Sequence, residues 1–519
     1  MRIFTKILLL IAMVAFTFTM DAQNRRYLDQ VFSDVEEVPG TLANAKGVNY
    51  TILGFLATQG QAHTLPQPLI ANMYYPKGDT ATNRPLIMFI HTGNFFPYPA
   101  NGSCSGTLRD SSNVEIAKRL AKMGYVVAVV DYRLGWNPLH QVEQIRRYFL
   151  INAAYRGVQD MNTYGRYFKR SVAELGNPHG IDPDKIVLWG QGTGGYLSLA
   201  TSYLKTYPEI FATDNPTKFL LTPPVAPANI PMVLEQYNGN INADGPVTTV
   251  DATYAALSQF HVGDTLCVPN HVGYTAKFAL CVNTGGALGD SSWLNQGEIP
   301  LISFHVDTDP LAPVDTDVLN VPTATGPQPV VEVSGSRDLA RRVDRFGNDD
   351  IFNTIPAGFD PYGQYNKSGH LGYYEFRGTP DDSSAPWEWA AGDNPPSKCN
   401  TNAGSAKIYI DTIVGYFAPR ACLALGLNCF TSSTKDLTDA QVGLVLSPNP
   451  ATDVLNLSVA QDAPIKAIAL HDISGRMLMN INDINSTHYT LKRNQIQNGI
   501  YIIRLQFEKG VISKKVVFD

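Results

Sequence analysis

At 519 residues, 44% of them hydrophobic and 17% charged, the chain exceeds one ordinary domain and can bury a large core, which excludes disorder as its theme. A formal net charge of -6 leaves no basic footprint, so neither nucleic acid nor an anionic membrane is expected as a partner. Met1, Arg2 and Lys6 flank the apolar run Ile7 to Phe18, and small Ala22 follows. This pattern predicts a cleaved signal peptide over residues 1–22, its core short of the ~20 residues that span a bilayer. No later run is long and apolar enough to span, so the mature chain is expected to carry no transmembrane segment.

In an exported chain the six cysteines (Cys104, Cys267, Cys281, Cys399, Cys422 and Cys429) predict disulfides and few free thiols, with the pairing left open. No H-E-x-x-H and no close histidine pair occurs, so no metal and no cofactor are expected.

Apolar strands then alternate with amphipathic helices. Strands are predicted at 85–91, 125–133 and 185–190, and helices at 113–124 and 142–175. A further helix begins after Gly195, two more strands begin near Lys277 and Pro300, and a closing helix covers "AKIYIDTIVGYFA". Continuous apolar strands of this kind indicate a parallel sheet covered on both faces. The Pro- and Asn-rich stretch at about 207–275 breaks the rhythm and reads as a cap insertion. Residues 431–441 read as a polar linker. Beyond it, 442–519 alternate with period two and carry hairpin signals at Asn498-Gly499 and Lys509-Gly510, a small all-β sandwich.

The segment "KIVLWGQGTGGYLSLA" (185–200) fits two glycine motifs. A dinucleotide loop would use Gly190, Gly192 and Gly195, but no acidic residue ends a strand about 20 positions on. A nucleophile elbow, G-x-S-x-G, would use Gly190 and Gly194 and puts Gly192 where the serine belongs. Making Thr193 the nucleophile instead would place a β-branched residue in a strained turn.

The elbow, "FIHTGNFF" after a strand, "VVDYRLGW" and "GIDPDKIVLWG" together resemble the α/β-hydrolase superfamily, in its carboxylesterase, lipase and feruloyl-esterase branch, over most of 84–417. The resemblance implies an oxyanion hole from Thr92, Gly93 and Thr193. It also implies an acid at Asp309 in "PLISFHVDTDPLAP" and a base at His370 in "KSGHLGYYEF", although Asp309 also fits a turn residue and His370 an ordinary surface histidine. "LSPNPATDVLNLSV", "DISGRML", "NGIYIIRL" and "KKVVF" resemble the C-terminal sorting domain of type IX secretion cargo. That resemblance implies export across the outer membrane, handling by the type IX machinery, and release or surface attachment.

The expectation is therefore a secreted, esterase-like α/β-hydrolase-fold protein with a cap and a β-sandwich tail, its covalent catalysis impaired or lost at Gly192 and its cleft kept for an ester-bearing, carbohydrate or aryl ligand. The alternatives are an active ester hydrolase using Ser103, Ser105, Ser368 or a water directed by His370, and an adhesion or scaffolding protein acting through the cap insertion, with "NFFPYP", "GYYEF" and "PWEW" supplying aromatics for a sugar or aryl polymer.

Overall fold

The computed structural model describes residues 25–48, 63–98, 101, 104–138, 140–258, 260–323, 326–379, 383–389, 399–400, 402–430, 437–472, 477–481, 484–494, 496–508 and 510–519. The expected signal peptide, most of the linker and Ser103 lie outside them. The described chain forms two compact units, 25–429 and 430–519.

The first unit is built on eight strands: β1 (Val35–Val48), β2 (Thr64–Pro76), β3 (Arg84–Ile90), β4 (Val126–Val130), β5 (Ile181–Gln191), β6 (Leu280–Thr284), β7 (Leu301–Val306) and β8 (Tyr373–Phe376). They lie in the order β1-β2-β4-β3-β5-β6-β7-β8. β2 runs antiparallel to β1 and to β4, and every other pairing is parallel.

β3, β4, β6 and β7 are buried along their whole length, as unbroken runs such as VVAVV and LISFHV require when helices cover both faces. α1 (Ser111–Lys122), α2 (Glu143–Ala173), α3 (Thr193–Tyr203), α4 (Ser336–Phe346) and α5 (Ala403–Ala424) supply that cover, leaving one apolar core on each side of the sheet. This is the α/β-hydrolase fold.

Between α3 and β6 the described residues make short helical turns and two-stranded pairings, for example Thr248–Thr249 with Thr265–Cys267. A hairpin, Asp317–Thr323 with Gly326–Val333, follows β7. Cys104 is bonded to Cys399 and Cys422 to Cys429, while Cys267 and Cys281 are buried free thiols. Two free thiols out of six agree with the expected few or none, and they are Cys267 and Cys281. Burial shields both from oxidation, and it pushes the Cys281 thiol up to about 12.

The second unit packs a three-stranded sheet, β9 (Val445–Ser447), β10 (Val454–Ser458) and β13 (His488–Lys492), over a four-stranded one. The latter consists of β11 (Ala467–Asp472), β12 (Met477–Ile481), β14 (Gly499–Phe507) and β15 (Gly510–Phe518). β14 buries every second residue, the period-two signature of a sandwich face. Leu455, Leu470, Ile503 and Leu505 are among the residues of its core.

Candidate active site

β5 runs into Gly192 and then α3, the strand-turn-helix that presents a nucleophile in this fold. Gly192 has φ 52° and ψ -116°, a conformation that costs an L-residue about 1–3 kcal/mol and glycine little. The other glycines answer to space. A Cβ at Gly190 would collide with the Gly194 carbonyl, one at Gly194 with the Ile90 carbonyl, and one at Gly195 with the Asn283 amide. α3 can therefore cross the ends of β3, β5 and β6 only with this bare backbone.

The space above Gly192 is filled by Thr92. A Cβ at position 192 would stand 2.9 Å from Thr92 Cβ and closer still to Thr92 Oγ1. The same hydroxyl accepts from the Thr193 N–H at 3.2 Å, and the Thr193 hydroxyl in turn accepts from the Asn94 N–H at 2.7 Å. Two threonine hydroxyls thus engage backbone donors in the region assigned to an oxyanion hole. The loop that places Thr92 is strained, with φ 140° at Gly93, 57° at Asn94 and 52° at Phe95. Three consecutive positive φ values mark a segment held by its surroundings.

Beneath the loop, the Thr92 carbonyl accepts from Tyr132 Oη at 3.1 Å and from His91 Nδ1. His91 Nε2 lies 3.2 Å from Asp131. Burial opposes protonation of His91, but the hydrogen bond and charge of Asp131 outweigh it, and the pKa is raised. Glu388 is buried against the elbow, accepting from Gln191 Nε2 and Ser112 Oγ. Burial, then the neighbouring Asp110, raises its pKa.

Asp309 follows β7 and reaches the same cavity. Its Oδ1 accepts from the Leu311 and Ala312 N–H groups at 2.8 and 3.1 Å, and its Oδ2 is 3.4 Å from His305 Nε2. Its hydrogen bonds are those of a turn-closing aspartate whose histidine neighbour comes from its own strand.

His370 is not brought to this site. It precedes β8, and β8 runs parallel to β7 with Ser303 opposite Tyr373. His370 therefore sits at the amino ends of the strands, while Gly192 and Asp309 follow their carboxyl ends, about 17–20 Å away along the strand direction. Its Nδ1 pairs with Asp344 of α4 at 2.5 Å. The expected base is corrected accordingly. Residue order alone does not fix the end of a parallel strand on which a side chain emerges. Ser368 shares that remote end, its hydroxyl donating to the Tyr373 carbonyl. The sequence after β8, RGTPDDSSAPWEW (377–389), contains no histidine, and its described residues Ser384, Ala385 and Trp387 line the elbow cavity.

The elbow opens into a cavity of about 380 Å³. Phe95, Trp136, Tyr155, Phe219, Trp293 and Trp387 supply its aromatic walls, and the 317–333 hairpin adds aliphatic side chains. Cys104 and Cys399 both line it, so a disulfide closes one side. Among the described lining residues the ionisable side chains are Asp309, Tyr155 and Tyr196, and burial raises both tyrosines. Glu388, the strained 93–95 loop and the hairpin were absent from the sequence reading. Nothing in "PWEW" signals a buried carboxyl: period-two alternation puts Glu388 on the strand face opposite Trp387 and Trp389, and its burial depends on Ser112 and Gln191 from elsewhere in the fold.

Three solved structures with similarity to the chain are of an esterase from the planctomycete Thermogutta terrifontis. The native form is 14% identical, covering 70% of this chain and 91% of that one at a TM-score of 0.35. The propionate-bound form is 15% identical (67% and 89%, TM-score 0.32), and the form phosphorylated by paraoxon is 15% identical (67% and 90%, TM-score 0.34). The fold assignment rests on the strand order and not on this likeness. A stretch of 136 residues is 26% identical to a non-reducing polyketide synthase of Emericella nidulans, spanning 26% of this chain and 5% of that protein. Residues 446–519 match the secretion system C-terminal sorting domain, and no helix among the described residues is long and apolar enough to cross a membrane. The chain carries a type IX secretion sorting domain over residues 446–519, which directs it to the cell surface or beyond.

Proposed function

We propose that this protein binds a neutral, largely apolar ester or aryl compound in the elbow cavity and does not turn it over through a covalent intermediate. The observation that carries this reading is the exchange at the elbow: glycine stands at 192, and Thr92 fills the space a serine would need. A hydrolase of this fold needs an activated hydroxyl, a base to take its proton and free donors for the oxyanion. Gly192 has no hydroxyl, no histidine lies among the described lining residues, and the Thr193 N–H is engaged.

The cavity itself is retained. Its volume falls within the usual ~300–1,000 Å³ range for small-molecule sites, and aromatic walls with few polar groups suit an acyl or aryl body. Asp309 as the sole described lining carboxyl disfavours an anionic ligand. Ser105 also lines the cavity, the one observation favouring an active hydrolase.

Quenching of intrinsic tryptophan fluorescence by a graded set of aryl and acyl esters tests the reading. Saturable binding is expected, weakened roughly tenfold or more (about 1.4 kcal/mol) by Ala154→Phe, which fills the cavity from α2. Absence of saturable binding, or binding indifferent to Ala154→Phe in a variant that unfolds like the parent, would overturn it.

A further inference from the structure

Away from the elbow, three side chains distant in sequence converge at the junction of the sheet and the 207–275 insertion. His63 immediately precedes β2, and His261 and Asp264 lie together before the Thr265–Cys267 strand. One donor atom from each lies within 4.8 Å of the other two. The Asp264 side chain is only 5% exposed. Its Oδ1 accepts from the Thr64 N–H at 3.3 Å and lies 3.1 Å from His63 Nδ1, and its Oδ2 accepts from the His261 N–H at 2.9 Å.

Two features are not explained by hydrogen bonding alone. Among the described residues the ionic partners of this buried carboxylate are the two imidazoles, with no Lys or Arg in contact. A carboxylate removed from water without a fixed cation is costly. In addition, His261 Nδ1 is buried, makes no hydrogen bond and lies 4.0 Å from Asp264 Oδ2. The two rings are stacked at 4.1 Å between centroids.

We propose that His63, His261 and Asp264 form a binding site for a divalent transition-metal cation of the zinc class. Two imidazoles and one carboxylate are the donor set such ions prefer, whereas calcium and magnesium take oxygen ligands. Donors held 2.0–2.1 Å from a tetrahedral ion stand about 3.4 Å apart; His63 Nδ1 lies 3.1 Å from Asp264 Oδ1, His261 Nδ1 lies 4.0 Å from Oδ2, and one donor from each residue lies within 4.8 Å of the others, so the trio must close by at most about 1.4 Å. The His63 side chain, 70% exposed, is free to make the larger share of that movement. Solvent completes the coordination. The ion neutralises Asp264, gives His261 Nδ1 a partner and clamps the insertion to the start of β2, joining positions some 200 residues apart in the chain.

The test is calorimetric titration of ZnCl₂ into tag-free, chelator-treated secreted protein, with the visible spectrum of Co²⁺ as a second readout. One equivalent should bind, with the intense visible bands of a four-coordinate Co²⁺ site and a raised unfolding temperature. His261→Ala should weaken binding by more than the roughly 10–100-fold that loss of an outer-shell partner costs. His63→Gln, at an exposed position where folding is not at stake, should weaken it similarly. Failure of the parent protein to bind, or binding of equal strength in parent and His63→Gln, would overturn the assignment.

Discussion

Replacing Gly192 with serine tests whether Thr92 occupies the nucleophile's space. The new Cβ would lie 2.9 Å from Thr92 Cβ, where carbon atoms pack optimally at about 3.5–4.0 Å, and closer again to Thr92 Oγ1. The backbone at φ 52° adds about 1–3 kcal/mol of strain for an L-residue, and overpacking adds about 1–3 kcal/mol. Gly192→Ser should therefore destabilise the protein by about 2–6 kcal/mol, a large share of the 5–15 kcal/mol typical of a domain. Thr92→Gly deletes both clashing atoms, so the double variant should recover about 1–3 kcal/mol relative to the sum of the singles. All five tryptophans (136, 189, 293, 387 and 389) lie in the first unit, so urea unfolding followed by tryptophan fluorescence reads this cycle without contribution from the sorting domain. Zero coupling between the two positions, or a Gly192→Ser protein as stable as the parent, would refute the steric argument.

Further outcomes follow from the same geometry. Burial pushes Asp349 up to about 8, so it keeps its proton in the folded chain after the unfolded chain has lost it. Its contribution is intact below the ordinary aspartate range and is lost as pH rises toward 8. Asp349→Asn should leave the unfolding temperature unchanged near pH 4 and raise it relative to the parent at pH 8; a pH-independent difference would contradict the assignment. Thiol titration should find two reactive groups in denatured protein and none in native protein, since Cys267 and Cys281 are buried and the other four cysteines are paired. Native-state labelling of either would show the packing to be wrong. His370→Ala should leave ester binding unaltered and cost less than about 1 kcal/mol of stability, the usual scale of an exposed ion pair. Loss of binding would return His370 to the cavity.

How much of this was legible beforehand depended on whether the determining interaction was local. The runs at 85–91, 125–133 and 185–190 became β3, β4 and β5 because continuous apolar segments have few stable placements outside a covered parallel sheet. The glycine burst was readable because backbone crowding at Gly190 and Gly194 admits no other residue. β1 and β2 went unread, since Pro39, Pro66 and Pro68 interrupt them and proline is tolerated only at edges and irregular positions of a sheet. His370 was misplaced because its type and order matched a base, while its end of the sheet depends on where β8 begins, three residues later. The threonine in "HTGN" was visible as a departure from a glycine-rich loop, but its position over Gly192 depends on the packing of β3 beside β5. His63 and His261 are invisible as a pair for the same reason: only the fold brings them together.

The central claim is binding at the elbow without covalent turnover, and native mass spectrometry of the secreted protein mixed with a long-chain aryl ester tests it most directly. The account predicts a one-to-one noncovalent complex that releases the intact ester on denaturation and leaves the protein mass unchanged. An acyl adduct on the protein, or steady release of the phenol at a rate near the ~10 per second of an ordinary enzyme, would contradict it.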